Sequence, residues 1–333
     1  MKRIAIVKLS AMGDIIHAMV ALQYIKKEYP NIIIDWFVEE SFFSILQGNI
    51  DIDNIYTINL KSIKKNKKAI FTQISLLKKY SKNNYDLVID AQGLIKSAIV
   101  AKLLGENIAG FSKDSIREKF ASFFYKKKVF IAYDKNTIDR NVKVLSNPLG
   151  FNITSEDILN KKAFLFYENE SHVINEFLSK EEKNIIFVVG STWESRNYPK
   201  EKFVKIANEL KENCIVVWGN ENERQKALYI EENSYYAKAM AKCDLNSLKA
   251  LIAKSDLLIG NDTGPTHMAW ALNIPSITIF GPTPTNRVYE TPINKVVKSS
   301  SKVNHFKLNK NDFSICEIKE DIIIEMSKKL LNG

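Results

Sequence analysis

Short apolar runs alternate with longer segments of helical spacing along almost the whole chain, and few folds accommodate such a rhythm. The runs predict strands at 3–7, 32–38, 54–58, 87–90, 107–111, 184–189, 214–218, 257–259 and 276–279. The segments between them predict helices, among them 15–28, 71–80, 202–211, 221–231, 245–253 and 266–272. Strand, helix and strand at this spacing form parallel sheets with helices on both faces, so the sequence predicts an α/β protein.

The rhythm restarts near residues 151–165, and a chain of 333 residues is long enough for two domains with separate cores. We therefore predict two Rossmann-like, doubly wound domains facing a cleft, at residues 1–160 and 161–333. A last helix, predicted at 318–331, belongs to the second domain in sequence and is able to pack back on the first.

The composition predicts a protein of the reducing cytoplasm. Hydrophobic residues make up 45% of the chain, but no apolar stretch reaches the roughly 20 residues that span a bilayer. The first residues lack the pattern of a signal peptide. Three cysteines without a CxxC pattern and four histidines argue against a disulfide framework and against a metal site.

Positive charge is concentrated in the first half of the chain. Residues 1–160 carry 24 Lys and Arg against 16 Asp and Glu, whereas the remainder carries 24 against 22. This asymmetry predicts an acidic partner for the first half, either a nucleic acid or an anionic membrane surface. Solvated lysines without any partner account for the same charge equally well.

The segment "LLIGNDTGPTHMAWAL", residues 257–272, is the strongest candidate for a binding site. Ligands of open α/β sheets gather beyond the carboxyl ends of strands, and here a strand ends just before Thr263 and Gly264 open a helix. Free backbone N–H groups and the positive end of the helix dipole favour an anion at such a turn. An ordinary turn capped by Asp262 is the simpler alternative.

Hydrogen-bond donors also follow three other predicted strands of the second half. "VVGSTWESRNYP" places Ser191, Thr192 and Arg196 in one loop, "VVWGNENERQKA" places Glu223 at a helix start, and "GPTPTNR" ends at residue 287. Hydroxyls and a guanidinium suit a diphosphate. Taken one at a time, these loops have simpler explanations, since Arg196 could be solvated and Glu223 could cap its helix. Taken together, the strand ends predict a nucleotide-diphosphate pocket.

The strand ends of the first half carry acids and amides instead. "KLSAMGD" places Ser10 and Asp14 around Gly13, while "WFVEE" and "VIDAQGLIKS" bring further carboxylates, an amide and a lysine. Neither GxGxxG nor GxxxxGK[ST] occurs, which argues against a dinucleotide fingerprint and against P-loop hydrolysis. Acids opposite a phosphate pocket suit removal of a proton from a hydroxyl, although Asp14 could equally cap the helix that follows it.

Five segments together identify a family: "KLSAMGDIIHAMVAL", "DWFVEE", "YDLVIDAQGLIKSA", "WGNENER" and "GNDTGPTHMAWAL". Over nearly its whole length the chain resembles the bacterial lipopolysaccharide heptosyltransferases of glycosyltransferase family 9, and "WFVEE" and "DAQGLIKS" are most like type I. The resemblance implies the GT-B fold and inverting transfer of L-glycero-D-manno-heptose from ADP-heptose to Kdo of Kdo-lipid A. It implies no cofactor beyond ADP-heptose as co-substrate, and no obligatory metal.

The same resemblance implies roles for single residues. The catalytic base falls on Asp14. The donor-binding positions fall on Ser191, Thr192, Arg196, Glu223, Cys243, Asp262, Thr263, Gly264 and His267. Arg196 stands where the family pattern has lysine, and Cys243 where it has methionine beside the nucleotide.

The acidic acceptor suits the basic first half. The acceptor-binding candidates are Ser10, Gly13, Lys61, Lys64, Gln92, Lys96 and Arg117. Basic runs at 61–68 and 117–128 would bind Kdo carboxylates and lipid A phosphates, and each basic residue near an anionic leaflet contributes roughly 1 kcal/mol. We expect a peripheral protein on the cytoplasmic face of the inner membrane.

Three other functions stay open at this point. A type II or III heptosyltransferase would use a heptose acceptor, and a nucleotide-sugar epimerase of similar two-domain fold would need no acceptor. A nucleic-acid-binding protein would use the basic half, but its lysine runs are expected to lack the interleaved aromatic residues on which bases stack. We therefore expect no nucleic-acid partner.

Overall fold

The computed structural model describes residues 1–305 and 307–332, without the side chains of residues 64 and 65. The chain divides into two compact units, Met1–Phe164 and Leu165–Gly333, where the sequence predicts a boundary at 160/161. No helix of the described residues is long and apolar enough to cross a membrane.

The first unit is built on a six-stranded parallel sheet with strand order β3-β2-β1-β4-β5-β6. Its strands are β1 (Arg3–Val7), β2 (Ile33–Glu39), β3 (Asn54–Ile58), β4 (Leu87–Asp90), β5 (Ile108–Phe111) and β6 (Lys127–Val129). Its helices are α1 (Met12–Glu28), α2 (Phe43–Leu46), α3 (Leu60–Lys65), α4 (Ala69–Ser81), α5 (Ile95–Leu104), α6 (Thr137–Ser146) and α7 (Ser155–Leu159). The central strands are buried because helices cover the sheet: α5 packs on β1 and β4, and α6 packs on β4.

The second unit repeats the design with strand order β12-β11-β10-β7-β8-β9. Its strands are β7 (Asn184–Val188), β8 (Asn213–Val217), β9 (Ala237–Ala239), β10 (Leu257–Asn261), β11 (Ser276–Phe280) and β12 (Asn294–Lys298). Its helices are α8 (Lys200–Leu210), α9 (Glu221–Asn233), α10 (Leu245–Ala253), α11 (Gly264–Ala271) and α12 (Glu320–Asn332). The last helix, α12, packs against α8 within this unit, where Lys205 and Glu320 pair at 2.6 Å.

The predicted fold class is confirmed, because both sheets are parallel and each is wound in both directions from its first strand. The prediction missed β6, β9 and β12. All three lie at sheet edges, and two of them are only three residues long. Edge strands carry lysines that oppose further pairing, and these interrupt the apolar pattern by which strands are recognised.

The strand order reverses between β1 and β4 in the first sheet and between β10 and β7 in the second. In open parallel sheets the loops that leave the carboxyl ends of such strands diverge and form a crevice for ligands. Each unit therefore has one favoured place for a site: the loops after β1 and β4, and those after β7 and β10.

Candidate active site

In the second unit, the favoured crevice contains a buried ion pair. Asp262 follows β10, and its Oδ2 accepts from Arg196 Nη2 at 2.7 Å and from Thr283 Oγ1 at 3.1 Å. Its Oδ1 lies 3.3 Å from His267 Nε2. Burial by itself raises the pKa of Asp262, but the hydrogen bond from His267 and the charges of Arg196 and Arg287 outweigh it and lower that pKa.

The local charge of this group is positive. The charges of Arg196 and Arg287 both act on Asp262, so two guanidinium groups accompany one carboxylate. Helix α11 begins beside them, with Thr263 as the residue before its first turn and without a capping bond from the Thr263 side chain. The residue before the helix is therefore Thr263 and not Asp262, and the positive end of the helix dipole adds to the positive potential here.

The loop after β7 contains buried polar atoms whose hydrogen-bonding capacity is not met by residues 1–305 and 307–332. Six buried atoms here and at the end of β10 have no hydrogen-bond partner among the described residues: Ser191 Oγ, Trp193 Nε1, Ser195 Oγ, Arg196 Nε, Asn197 Oδ1 and Asn261 Nδ2. Buried polar groups are almost always paired, so such a concentration indicates a place where hydrogen bonds are made to something other than protein.

Glu223 lies next to this loop and also acts as a helix cap. Its carboxylate accepts from Gly219 N at 2.7 Å and from Asn220 Nδ2 at 2.8 Å. The side chain passes directly over Gly190, where a Cβ atom would overlap the carboxyl carbon of Glu223. A glycine at the end of β7 is therefore required for Glu223 to reach the crevice.

Cys243 and Thr192 complete the predicted donor set. Cys243 follows β9 and is partly buried, and burial raises the pKa of its thiol to about 11. The thiol is therefore protonated and behaves as a small apolar side chain. Thr192 is exposed in the loop after β7.

In the first unit, Asp14 lies in the first turn of α1. Its carboxylate accepts from the backbone N–H of Ala11 at 3.4 Å, at the position where a negative charge complements the helix dipole. Helix α1 begins at Met12 with Ala11 before it, so the prediction of Asp14 as the cap of a helix that starts at Ile15 is wrong, and this one bond leaves the carboxylate with most of its accepting capacity unused. Ser10 and Gly13 flank the turn and are half-buried.

The turn around Asp14 is held by residues after β4. Gln92 Oε1 accepts from the backbone N–H groups of Leu9 and Ser10, each at 3.0 Å. Buried Lys8 donates from Nζ to Ala91 O at 2.8 Å, and burial lowers its pKa while the nearby charges of Asp14 and Asp90 oppose that shift. The structure therefore places Gln92 as a support of the turn.

The basic acceptor candidates lie at the same edge of the first sheet as this turn. Lys61, Lys96 and Arg117 are exposed and follow β3, β4 and β5, so all three lie at the carboxyl edge of the first sheet. Lys61 Nζ donates to Ser41 Oγ at 3.1 Å. Lys64 belongs to α3, but its side chain lies outside the described residues.

Sequence reasoning missed several residues that the fold brings to these places. Arg287 and Thr283 join Asp262 from the loop after β11; both belong to the motif "GPTPTNR", but neither was predicted as a site residue. Arg140 of α6 is buried between the rings of Phe111 and Tyr133, at 5.2 and 4.9 Å, and nothing in its local pattern indicated this position. Among the described residues, no cluster of three His, Cys, Asp or Glu side chains could hold a metal ion.

Comparison with known proteins now places the chain. Residues 73–314 match glycosyltransferase family 9 (heptosyltransferase). Lipopolysaccharide heptosyltransferase 1 of Campylobacter coli is 40% identical over 98% of both chains. Its counterpart in Escherichia coli K12 is 27% identical over 92% of this chain and 96% of its own.

The solved structure of Escherichia coli heptosyltransferase WaaC with ADP-2-deoxy-2-fluoro heptose matches with a TM-score of 0.79. The match covers 99% of this chain and 100% of that one at 23% identity. The architecture is therefore that of the GT-B glycosyltransferases. The chain belongs to glycosyltransferase family 9, the heptosyltransferases, and is a glycosyltransferase.

Proposed function

We propose that this enzyme transfers L-glycero-D-manno-heptose from ADP-heptose to Kdo of Kdo-lipid A, with inversion, in lipopolysaccharide core biosynthesis. The relative of 40% identity carries the name lipopolysaccharide heptosyltransferase 1, which supports heptose transfer in lipopolysaccharide biosynthesis. The donor half of the proposal depends on one observation: the positive group around Asp262 lies beside six buried polar atoms that have no hydrogen-bond partner within the described part of the chain.

The donor's diphosphate is assigned to the start of α11, where Thr263, Gly264 and the two guanidinium groups supply donors and positive charge. We assign Asp262 an indirect role in donor binding, without contact to the phosphates, because both its carboxylate oxygens face Arg196, Thr283 and His267. It orients the arginine that faces the phosphates. Ser191 and Thr192 would bind phosphate oxygens, Glu223 the ribose and Cys243 the adenine.

The reaction forms one bond and breaks another at the anomeric carbon. A Kdo hydroxyl attacks from the face opposite the leaving group, Asp14 takes the hydroxyl proton, and the bond to the β-phosphate oxygen of ADP breaks. Positive groups already in place stabilise the charge that grows on the departing diphosphate, which is the usual way in which preorganised sites lower such a barrier. The proposal assigns this charge to arginines and helix N–H groups and needs no metal ion.

The acceptor is proposed to bind at the carboxyl edge of the first sheet, where Lys61, Lys96 and Arg117 are exposed. Its Kdo carboxylates and lipid A phosphates are anions, which these long, flexible and positively charged side chains can pair with. Because the acceptor is a lipid, we place the enzyme peripherally on the cytoplasmic face of the inner membrane.

The direct test is incubation of the full-length enzyme with ADP-heptose and Kdo-lipid A, followed by mass spectrometry of the lipid. A gain of one heptosyl unit is expected, with release of ADP. Transfer only to an acceptor that already bears heptose would identify a type II or III enzyme. Conversion of the nucleotide sugar without any acceptor would identify an epimerase, and either result contradicts the proposal.

A further inference from the structure

The first unit exposes aromatic side chains that neither its core nor the proposed site uses. Phe120 and Phe123 are 72% and 75% exposed, and their ring centroids lie 6.0 Å apart in the short helical turn Lys119–Phe124. Single exposed apolar residues are common, but adjacent exposed rings indicate a surface that binds something.

The exposed rings belong to a larger surface. The turn 119–124 packs against α5, and α4 packs against α5 as well. Helix α4 exposes Ile70 and Phe71 in its first turn, and α5 exposes Ile95 and Ile99. Helices that follow parallel strands begin at the carboxyl edge of the sheet, so the residues of α4 and α5 lie toward that edge. The turn 119–124 adjoins them, because Glu118 just before it accepts from the backbone N–H of Ile95 at the start of α5. We call Ile70, Phe71, Ile95, Ile99, Phe120 and Phe123 the apolar face.

Positive charge borders the apolar face. Lys67 and Lys68 precede α4, and Lys96, Lys119 and Lys126 are exposed on the same elements or next to them. Residues 117–128 contain five basic side chains and one acidic one. That acid, Glu118, accepts from the backbone N–H of Ile95 at 2.7 Å, so it is engaged within the protein.

We propose that the apolar face inserts into the surface of an anionic bilayer, with its aromatic rings at the boundary of the hydrocarbon and its lysines among the headgroups. Aromatic residues prefer this boundary, and basic residues nearby add electrostatic attraction to anionic lipid. This inference rests on the proposed function, because an enzyme with a lipid acceptor has to work at a membrane surface.

A single-stranded nucleic acid is the other ligand that exposed aromatic and basic residues can bind. The prediction that the lysine runs lack interleaved aromatic residues is wrong for 117–128, which contains Phe120 and Phe123. The composition of the apolar face decides between the two. Three of its six residues are isoleucines, which pack against hydrocarbon but offer no ring for a base.

The test is co-sedimentation of the full-length protein with vesicles of phosphatidylethanolamine and phosphatidylglycerol that contain no acceptor lipid. We expect Phe120→Ser/Phe123→Ser to weaken vesicle binding at least about tenfold, since burial of one phenylalanine corresponds to roughly that factor. The matched control is Ile50→Ser/Tyr235→Ser, which changes two side chains that are 78% and 95% exposed elsewhere. This control should bind vesicles like the wild type.

Wild-type affinity for vesicles from the phenylalanine variant, or equal binding of the wild type to neutral and anionic vesicles, would overturn the inference. So would an oligonucleotide that binds in place of vesicles and depends on the same phenylalanines. Transfer to a lipid-free Kdo acceptor is measured in parallel and should be unchanged in the variant. Vesicle binding without any transfer by the wild type would contradict the proposed function alone.

Discussion

Asp14 sits in the first turn of α1, where its charge complements the helix dipole and its carboxylate is the proposed general base. We expect Asp14→Asn to lower kcat on the order of 10²–10⁴-fold, because a positioned base contributes about that factor. The affinity for ADP-heptose, measured by calorimetry, should change little.

Glu28→Gln, which removes an exposed carboxylate at the other end of the same helix, is the control for the loss of charge. If Asp14→Asn turns over at near the wild-type rate, another residue is the base.

Asp262 lies in a buried pair with Arg196, and its removal would leave that guanidinium without a counterion. We expect Asp262→Asn to destabilise the second unit by about 3–5 kcal/mol. Because the pKa of Asp262 is lowered on folding, its contribution is complete above the unfolded value of 3.8 and is lost as pH falls toward the folded-state pKa.

Urea unfolding of the wild type and of Asp262→Asn at several pH values tests this. The difference between their free energies of unfolding should stay constant at neutral pH and shrink below about pH 4. The exposed Asp321→Asn serves as the control. A difference that does not depend on pH would show that Asp262 does not act as an ionised partner.

At the scale of elements, the loop after β7 and the start of α9 depend on each other, because the Glu223 side chain lies directly over Gly190. We expect Gly190→Ala to displace the Glu223 side chain and to weaken ADP binding as much as Glu223→Ala does, since the added Cβ would occupy the place of the carboxyl group. Stability should change little, because the displaced group is the far end of a flexible side chain.

A double-mutant cycle separates this coupling from an independent effect. Gly190→Ala should cost nothing further in a Glu223→Ala background. If the two losses of ADP affinity simply add, Gly190 acts on the site in some other way.

The core under β7 depends on Phe203 of α8, which is fully buried with ring centroids 5.2 Å from Phe187 and 5.5 Å from Tyr198. We expect Phe203→Ala to cost about 3–5 kcal/mol of unfolding free energy, because the helix cannot fill the space of a lost ring. Denaturant unfolding followed by circular dichroism measures it, with the exposed Tyr235→Ala as control. A loss below about 1 kcal/mol would contradict the packing described.

Strands could be predicted from the sequence where their burial in the sheet leaves a run of apolar residues. β1, β3 and β4 occur with the predicted bounds because most of their residues are apolar. β2 is displaced by one residue at both ends, and β10 extends two residues further to Asn261 because its last positions pair within the sheet. Hydrogen bonding to a neighbouring strand is not visible in a local pattern.

At the scale of the whole molecule, we propose that groups of the protein neutralise the negative charge of ADP as it leaves. Since Arg196, Arg287 and the start of α11 would bear the charge of the departing ADP, we expect heptose transfer to continue at an unchanged rate in EDTA. Released ADP is measured with and without the chelator, after dialysis of all components. A rate that falls with EDTA and returns with Mg²⁺ would show that a metal shares this role.

The sequence by itself determined the fold class, the two-domain organisation and the family, because strand and helix periodicity and short motifs are properties of neighbouring residues. It also indicated the loops that follow β1, β7 and β10. Only the tertiary structure decided that Asp262 pairs with Arg196 across 66 positions and that α4 and the turn 119–124, which both carry exposed rings, pack against the same helix α5. Such groupings depend on strand order and helix packing, which bring together residues that no local pattern connects.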